Sequence, residues 1–150
     1  MAPDAEVEAF GEDLRDAVAQ DSPLDRFLKA LHDPDPRRRC EAIAAFGYAG
    51  NFAAIPYVSA VLLRLDEELS VRLAAAQALG RIGDRRAWSF LARSVMDDEP
   101  RIRLASAIAL GFVMGRGGVR LLSRALHSET DANVRAALAW ALGAARSRRF

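Results

Sequence analysis

Few side chains in this sequence could carry out catalysis or hold a metal ion, and they lie far apart. His32 and His127 are separated by 95 residues, and Cys40 is the single cysteine, so neither a zinc site nor an intramolecular disulfide is indicated. The glycine-rich stretch MGRGGV, residues 114–119, lacks the lysine and the preceding strand of a phosphate-binding loop. The sequence therefore predicts no catalytic residue, no metal and no cofactor, and we expect the chain not to be an enzyme.

The charged side chains that do recur at a regular spacing are arginines. Four of them stand eight residues before four glycines, which are themselves 33, 31 and 32 residues apart. Alanine stands two residues before each glycine, and acids stand twelve and fourteen residues before it. The glycines are Gly47, Gly80, Gly111 and Gly143, and the arginines are Arg39, Arg72, Arg103 and Arg135. Self-similarity at one period is the signature of a repeat architecture.

Each repeat reads as two helices. The acids suit the start of a helix, where backbone N–H groups are unpaired and the helix dipole is positive. An alanine-rich amphipathic helix follows, and we expect the recurrent glycine to end it in a left-handed turn. The second helix carries apolar residues 8, 11 and 15 positions after the glycine, for example Ile55, Val58 and Leu62. One such unit cannot bury its apolar faces alone, so the units must stack.

The recurring pattern of acid-x-acid, Val-Arg and Ala-Leu-Gly resembles the HEAT repeat, in the short bacterial variety named after phycobilin lyase subunits. The resemblance covers about residues 33–143. It implies an all-α fold, a right-handed α-solenoid of stacked antiparallel helical hairpins. It also implies that the four recurrent arginines pair with acids of their own or a neighbouring unit and are structural rungs.

We expect one domain over residues 1–150, with different ends. The N-terminal hairpin is degenerate, with helices predicted at residues 4–19 and from Ser22-Pro23 onwards. The last unit contains its first helix and a basic tail, so apolar surface should be uncovered there unless a partner, a second copy or the tail covers it. The predicted segments are 1–32 (cap), 33–65, 66–96 and 97–126 (repeats), and 127–150 (incomplete repeat and tail).

Two surfaces stand out as candidates for binding a partner. In HEAT-like arrays the second helices line the concave face, which places there the basic residues Arg93, Arg120 and Arg124. The second surface is a ridge on the first helices, where positions that are usually polar in the family carry Leu73, Leu104, Ile108 and Trp140. The alternatives are a merely solvated basic face, leucines that are buried between helices, and a Trp140 that tucks inward.

Charge and composition set the remaining expectations. Residues 1–75 carry 14 acids and 8 bases, and residues 76–150 carry 6 acids and 13 bases, so the halves have net charges of −6 and +7. The acidic N-terminus does not look like a secretory signal, no apolar run could span a membrane, and the lone cysteine fits the cytoplasm.

The function that the sequence favours is a non-catalytic protein–protein interaction module, either an adaptor, a scaffold or an accessory subunit of a larger assembly. Self-association through the C-terminal end is a further possibility. The alternatives are a bilin lyase-type subunit, by resemblance, and nucleic-acid binding through the basic half, which the acidic half disfavours because it repels phosphate.

Overall fold

The computed structural model describes residues 22–113 and 118–148, and α-helices make up most of this part of the chain. Eight α-helices and two short 3₁₀ turns, Phe52–Ala54 and Arg85–Ala87, occur within these residues. The predicted helix over residues 4–19 lies outside the described part. The helices are α1 Pro23–Leu31, α2 Pro36–Ala49, α3 Ile55–Leu63, α4 Leu69–Ile82, α5 Trp88–Ser94, α6 Pro100–Phe112, α7 Gly118–Ser128 and α8 Ala132–Ser147.

These helices form two rows. The first helices of the units, α2, α4, α6 and α8, pack against one another in chain order. The second helices, α1, α3, α5 and α7, each pack against the first helix that follows. The predicted all-α solenoid of stacked helix pairs is therefore confirmed. The segment boundaries predicted from the repeat remain expectations.

The acids of the repeat begin the first helices, as predicted. Asp35, Glu99 and Asp131 each accept a hydrogen bond from the backbone N–H two residues further on. Glu68 occupies the same place before α4 without such a side-chain bond. Ser22 starts α1 through a capping box with Asp25, in which each side chain accepts from the other residue's backbone N–H.

The recurrent glycines do not end the first helices, so that expectation was wrong. Gly50 and Gly83 take the left-handed conformation that ends α2 and α4, with φ of 65° and 68°. Gly47 and Gly80 lie three residues earlier, inside the helices, where a Cβ would stand 3.0 Å and 2.9 Å from the Cα atoms of the alanines opposite. Glycine is needed there because the next first helix approaches its backbone closely.

We call each such contact between successive first helices a seam. At the first two seams Gly47 faces Ala78 and Gly80 faces Ala109. These alanines are the recurrent alanines that stand two residues before the next glycine. The Gly and Ala positions of the sequence repeat are thus two halves of one contact.

The core lies between the two rows of helices. The apolar positions predicted on the second helices contribute to it, since Ile55, Val58, Leu62 and Leu91 are fully buried. One polar pair is buried as well, because the hydroxyl of Ser94 lies 2.7 Å from that of Ser106 and also donates to the carbonyl of Leu91. The largest fully buried side chains on the first helices are Ile43, Val71, Leu79, Ile102, Val134 and Leu138.

Candidate partner-binding site

Three of the four recurrent arginines bridge neighbouring units. Arg39 donates to both carboxylate oxygens of Glu67, at 2.7 and 3.1 Å, and Arg103 does the same to Glu129, at 2.8 and 3.2 Å. Arg72 pairs with Asp97, and this pair is buried. A guanidinium held on a carboxylate in this way is occupied by the fold. These three arginines are therefore parts of the seams, with their charges already paired.

Each arginine also donates to a backbone carbonyl that precedes its own helix. The carbonyl acceptors are Asp33 for Arg39 at 2.7 Å, Leu62 for Arg72 at 2.9 Å and Asp97 for Arg103 at 2.9 Å. The guanidinium is thus oriented by the chain that precedes its helix, which for Arg72 is α3 of the preceding unit, and it reaches from there to the acid of the next unit.

Pairing with arginine determines the ionisation of the partner acids. Burial by itself would raise the pKa of Glu129, but the hydrogen bonds from Arg103 and from the backbone at Asp131 hold that pKa below its ordinary value. Glu67 behaves in the same way, with burial opposed by its hydrogen bonds to Arg39 and the backbone. In return, the hydrogen bond to Glu129 raises the pKa of Arg103.

Glu67 was not singled out from the sequence. The acid fourteen residues before Gly80 is Asp66, and it pairs instead with Arg64 at 3.0 Å. Counted back from the recurrent glycine of its unit, Glu67 stands thirteen residues before Gly80, whereas Asp97 and Glu129 stand fourteen residues before their glycines. The run of three acids at residues 66–68 was the available signal, because any of the three could have filled the place.

Arg135, on α8, makes the hydrogen bonds to backbone carbonyls but, among the described residues, not the salt bridge to an acid of a following unit. Its Nη1 donates to the carbonyls of Glu129 at 3.0 Å and Leu126 at 3.4 Å. Within the described residues no carboxylate lies within salt-bridge distance of it, and Arg135, Ala139 and Gly143 are exposed. Self-association through this end of the array remains a prediction.

A groove runs along the first-helix row between α4 and α6, with a volume of about 700 Å³. It brings together three of the ridge residues predicted from the sequence, Leu73 on α4 and Leu104 and Ile108 on α6. Leu73 and Leu104 are half-buried, whereas Ile108 is 43% exposed. The remaining lining residues are Gln77, Gly80, Arg81, Arg101, Ala105, Ala109 and Phe112.

Trp140, the fourth predicted ridge residue, lies next to the groove and not inside it. Its indole packs against Phe112 with ring centroids 5.3 Å apart. It also covers Gly111, so that a Cβ at residue 111 would overlap the indole. The side chain is nevertheless 48% exposed. Trp140 therefore supports the third seam with one face and extends the exposed apolar strip with the other.

Phe112, Arg81 and Arg101 line the groove but were missed by sequence reasoning. Phe112 is 52% exposed and joins the groove to Trp140. The guanidinium carbon of Arg81 lies 4.0 Å from the ring centroid of Tyr48, which fixes its position. Arg81 and Phe112 directly follow the recurrent glycines Gly80 and Gly111. This shared position in the repeat was the available signal.

The predicted basic residues lie on the other row of helices. Arg93 is on α5, and Arg120 and Arg124 are on α7, and all three are exposed. In the part of the chain that the structure describes, none of them forms a salt bridge. The groove between α4 and α6 is thus a separate surface from the one these arginines occupy.

The described residues hold no arrangement suited to metal chemistry. Among them no group of three or more His, Cys, Asp or Glu side chains could bind a metal ion. The ring Nδ1 of His32 lies 2.8 Å from the carbonyl of Leu28, at the end of its own helix. Of the glycine-rich stretch, residues 114–117 lie outside the described part, and Gly118 begins α7. Every helix between residues 22 and 113 or 118 and 148 is too short or too polar to cross a membrane.

Comparison with known proteins agrees with this geometry. A family model for HEAT repeats matches residues 24–111 and again residues 61–143. The fold is similar to a solved structure described as the complex of CpcE and CpcF of phycocyanin lyase from Nostoc sp. PCC7120. That match has a TM-score of 0.55 and 18% sequence identity, and it covers 85% of this chain and 66% of the other. No curated protein matches the sequence.

Proposed function

Because the chain belongs to the HEAT repeat family, we propose that it is a non-catalytic module that binds another protein. Stacked helical hairpins provide extended surface, and the function of such a fold depends on what that surface carries. The module would serve as an adaptor, a scaffold or an accessory subunit of a larger assembly in the cytoplasm.

The observation that carries this proposal is the exposed apolar strip on the first-helix row. Ile108, Phe112 and Trp140 are each about half exposed and follow one another along α6 and onto α8. The groove beside them adds Leu73 and Leu104. Contiguous exposed apolar surface of this kind marks interaction sites in soluble proteins, and tryptophan is a favoured anchor.

The basic residues of the second-helix row provide a second contact surface in this proposal. Arg93, Arg120 and Arg124 are exposed, and arginine binds carboxylates through two parallel hydrogen bonds. An acidic segment of the same partner would suit them.

The test is quantitative affinity capture from an extract of the source organism, with the full chain as bait. Ile108→Glu puts a charge in the middle of the strip and should remove the specific partner. Tyr57→Glu is the matched control, because Tyr57 is 44% exposed but lies on α3, in the other row. A partner captured equally well by wild type and Ile108→Glu would contradict the proposed site.

A second candidate is a bilin lyase-type subunit, favoured by one feature of the groove. Its apolar lining and its two arginines, Arg81 and Arg101, would suit a flat apolar pigment that carries carboxylates. The likeness to the phycocyanin lyase complex supports the fold alone. Mixing the purified chain with a bilin and recording its absorption spectrum separates the two candidates. A spectral shift that Arg81→Ala abolishes would favour the lyase function.

A further inference from the structure

The groove between α4 and α6 has charged ends and an apolar middle. Arg101 lies at one end and Arg81 at the other, with Leu73, Leu104 and Ile108 between them. No acidic side chain lines it. From these features we infer that the groove binds one amphipathic helix of a partner protein, apolar along one face and acidic at both ends. This inference rests on the proposed protein-binding function.

The length of the groove supports a helical occupant. Helices α4 and α6 are successive first helices of the array, and Gly80 faces Ala109 across their seam. Arg81 is therefore level with residue 110 of α6, nine positions beyond Arg101. Nine residues of helix span about 14 Å, so a partner helix of about three turns would place its two ends beside the two arginines.

The apolar lining has the spacing that receives a helix. Leu104, Ile108 and Phe112 are four residues apart and form a single ridge along α6, and Leu73 on α4 lines the groove nearer the Arg101 end. An amphipathic helix presents apolar residues at intervals of three and four, and such helices bind in grooves between helices elsewhere. The small residues Gly80, Ala105 and Ala109 also line the groove.

The two arginines are held in place and can still receive a carboxylate. Arg81 lies over the ring of Tyr48, and no described carboxylate is within salt-bridge distance of it. The charge of Arg101 is already paired with Glu99, to which it donates from Nε and Nη2, so a partner carboxylate at that end would share the guanidinium through Nη1, which makes no hydrogen bond to any described residue. The net charge of +7 over residues 76–150 favours an acidic partner and disfavours a basic one.

A designed peptide tests the inference directly. The probe is a fluorescein-labelled 16-residue helical peptide with leucines on one face at spacings of three and four and glutamates about nine residues apart at the two ends of that face, to match the spacing of the arginines. Its twin has lysines in place of the glutamates. Fluorescence anisotropy is measured against the full chain, with circular dichroism to check that each variant remains folded.

We expect saturable binding of the acidic peptide that weakens with added salt. Binding should weaken at least tenfold with Arg81→Glu and with Ile108→Glu. It should be unchanged with Tyr57→Glu. Ile108→Ala, which carries no charge into the groove, is the second variant should Ile108→Glu lose its fold.

Two results would overturn the inference. One is absence of acidic-peptide binding, and the other is equal binding of the lysine twin. The capture experiment with Ile108→Glu decides the proposed function separately, because it does not depend on what the partner's charge is.

Discussion

The indole of Trp140 lies over Gly111, in the place that an alanine occupies at the two preceding seams. Gly47 faces Ala78 and Gly80 faces Ala109, but the atoms nearest to a Cβ at residue 111 all belong to Trp140. At the third seam the two first helices therefore meet through a tryptophan indole packed directly on a glycine backbone. Phe112 packs beside the indole and shares this contact.

Gly111→Ala should destabilise the chain by about 1–3 kcal/mol, because the added methyl group overlaps the indole and forces it to move. Combining it with Trp140→Ala should recover much of that loss, which a double-mutant cycle in urea would show. Gly143→Ala is the control, since a Cβ there meets nothing within 4 Å. Equal destabilisation by Gly111→Ala and Gly143→Ala would contradict this account.

Arg72→Met should destabilise the chain by about 3–5 kcal/mol, because it leaves the buried carboxylate of Asp97 without its cation. Arg72 is only 5% exposed. Arg135→Met changes the same repeat position where no described carboxylate is paired, so it should cost much less, since it removes only hydrogen bonds to two backbone carbonyls. Urea unfolding of both variants decides the matter, and similar midpoints for the two would be the opposing result.

Stability should fall as the pH drops below about 4.5. The folded-state pKa values of Glu67 and Glu129 lie below their ordinary value of 4.5. Their contribution is complete above pH 4.5 and is lost as the pH falls through the lowered folded-state pKa. Thermal unfolding between pH 7 and pH 3 measures this loss.

Glu129→Gln should flatten that pH dependence. Exposed Glu41 supplies the matched loss of a charge on α2, and Glu41→Gln should retain the wild-type slope. An unchanged slope for Glu129→Gln would show that the acids paired with the recurrent arginines do not control acid unfolding.

Ser59→Ala should stabilise the chain by about 1 kcal/mol. The Ser59 hydroxyl is fully buried on α3 and finds no hydrogen-bond partner among the described residues. An unpaired buried polar group carries an uncompensated desolvation cost, which alanine removes. Ser106→Ala is the comparison, because it breaks the bond to Ser94 and should destabilise. Calorimetry that finds a lower Tm for Ser59→Ala would refute this explanation.

Much of the fold was predictable because its signals are local and periodic. The spacing of the acids fixed where first helices begin, and Asp35, Glu99 and Asp131 do cap them. The glycines were misread because a glycine at a helix end and a glycine at a close crossing look alike in one sequence. Only the three-dimensional contacts show that Gly80 allows Ala109 of the next first helix to approach closely, while Gly83 ends the helix.

The candidate site was predictable only in part. Leu73, Leu104 and Ile108 departed from the polar pattern of the family, and they do share one groove. Arg81 and Phe112 share only their position directly after a recurrent glycine, and whether a residue there reaches the groove depends on how each first helix is rotated about its axis. The exact acid that meets Arg39 depends likewise on the length of one loop.

The first two seams are equivalent, since each is a contact between a glycine of one first helix and an alanine of the next. A duplicated copy of the second unit would present an alanine to Gly80 and a glycine to Ala109, so both of its neighbours would already fit. As far as these glycine–alanine contacts are concerned, the array could therefore lengthen during evolution by whole units in its middle. The third seam differs from the first two, because there the residue that faces the glycine is Trp140 and not an alanine.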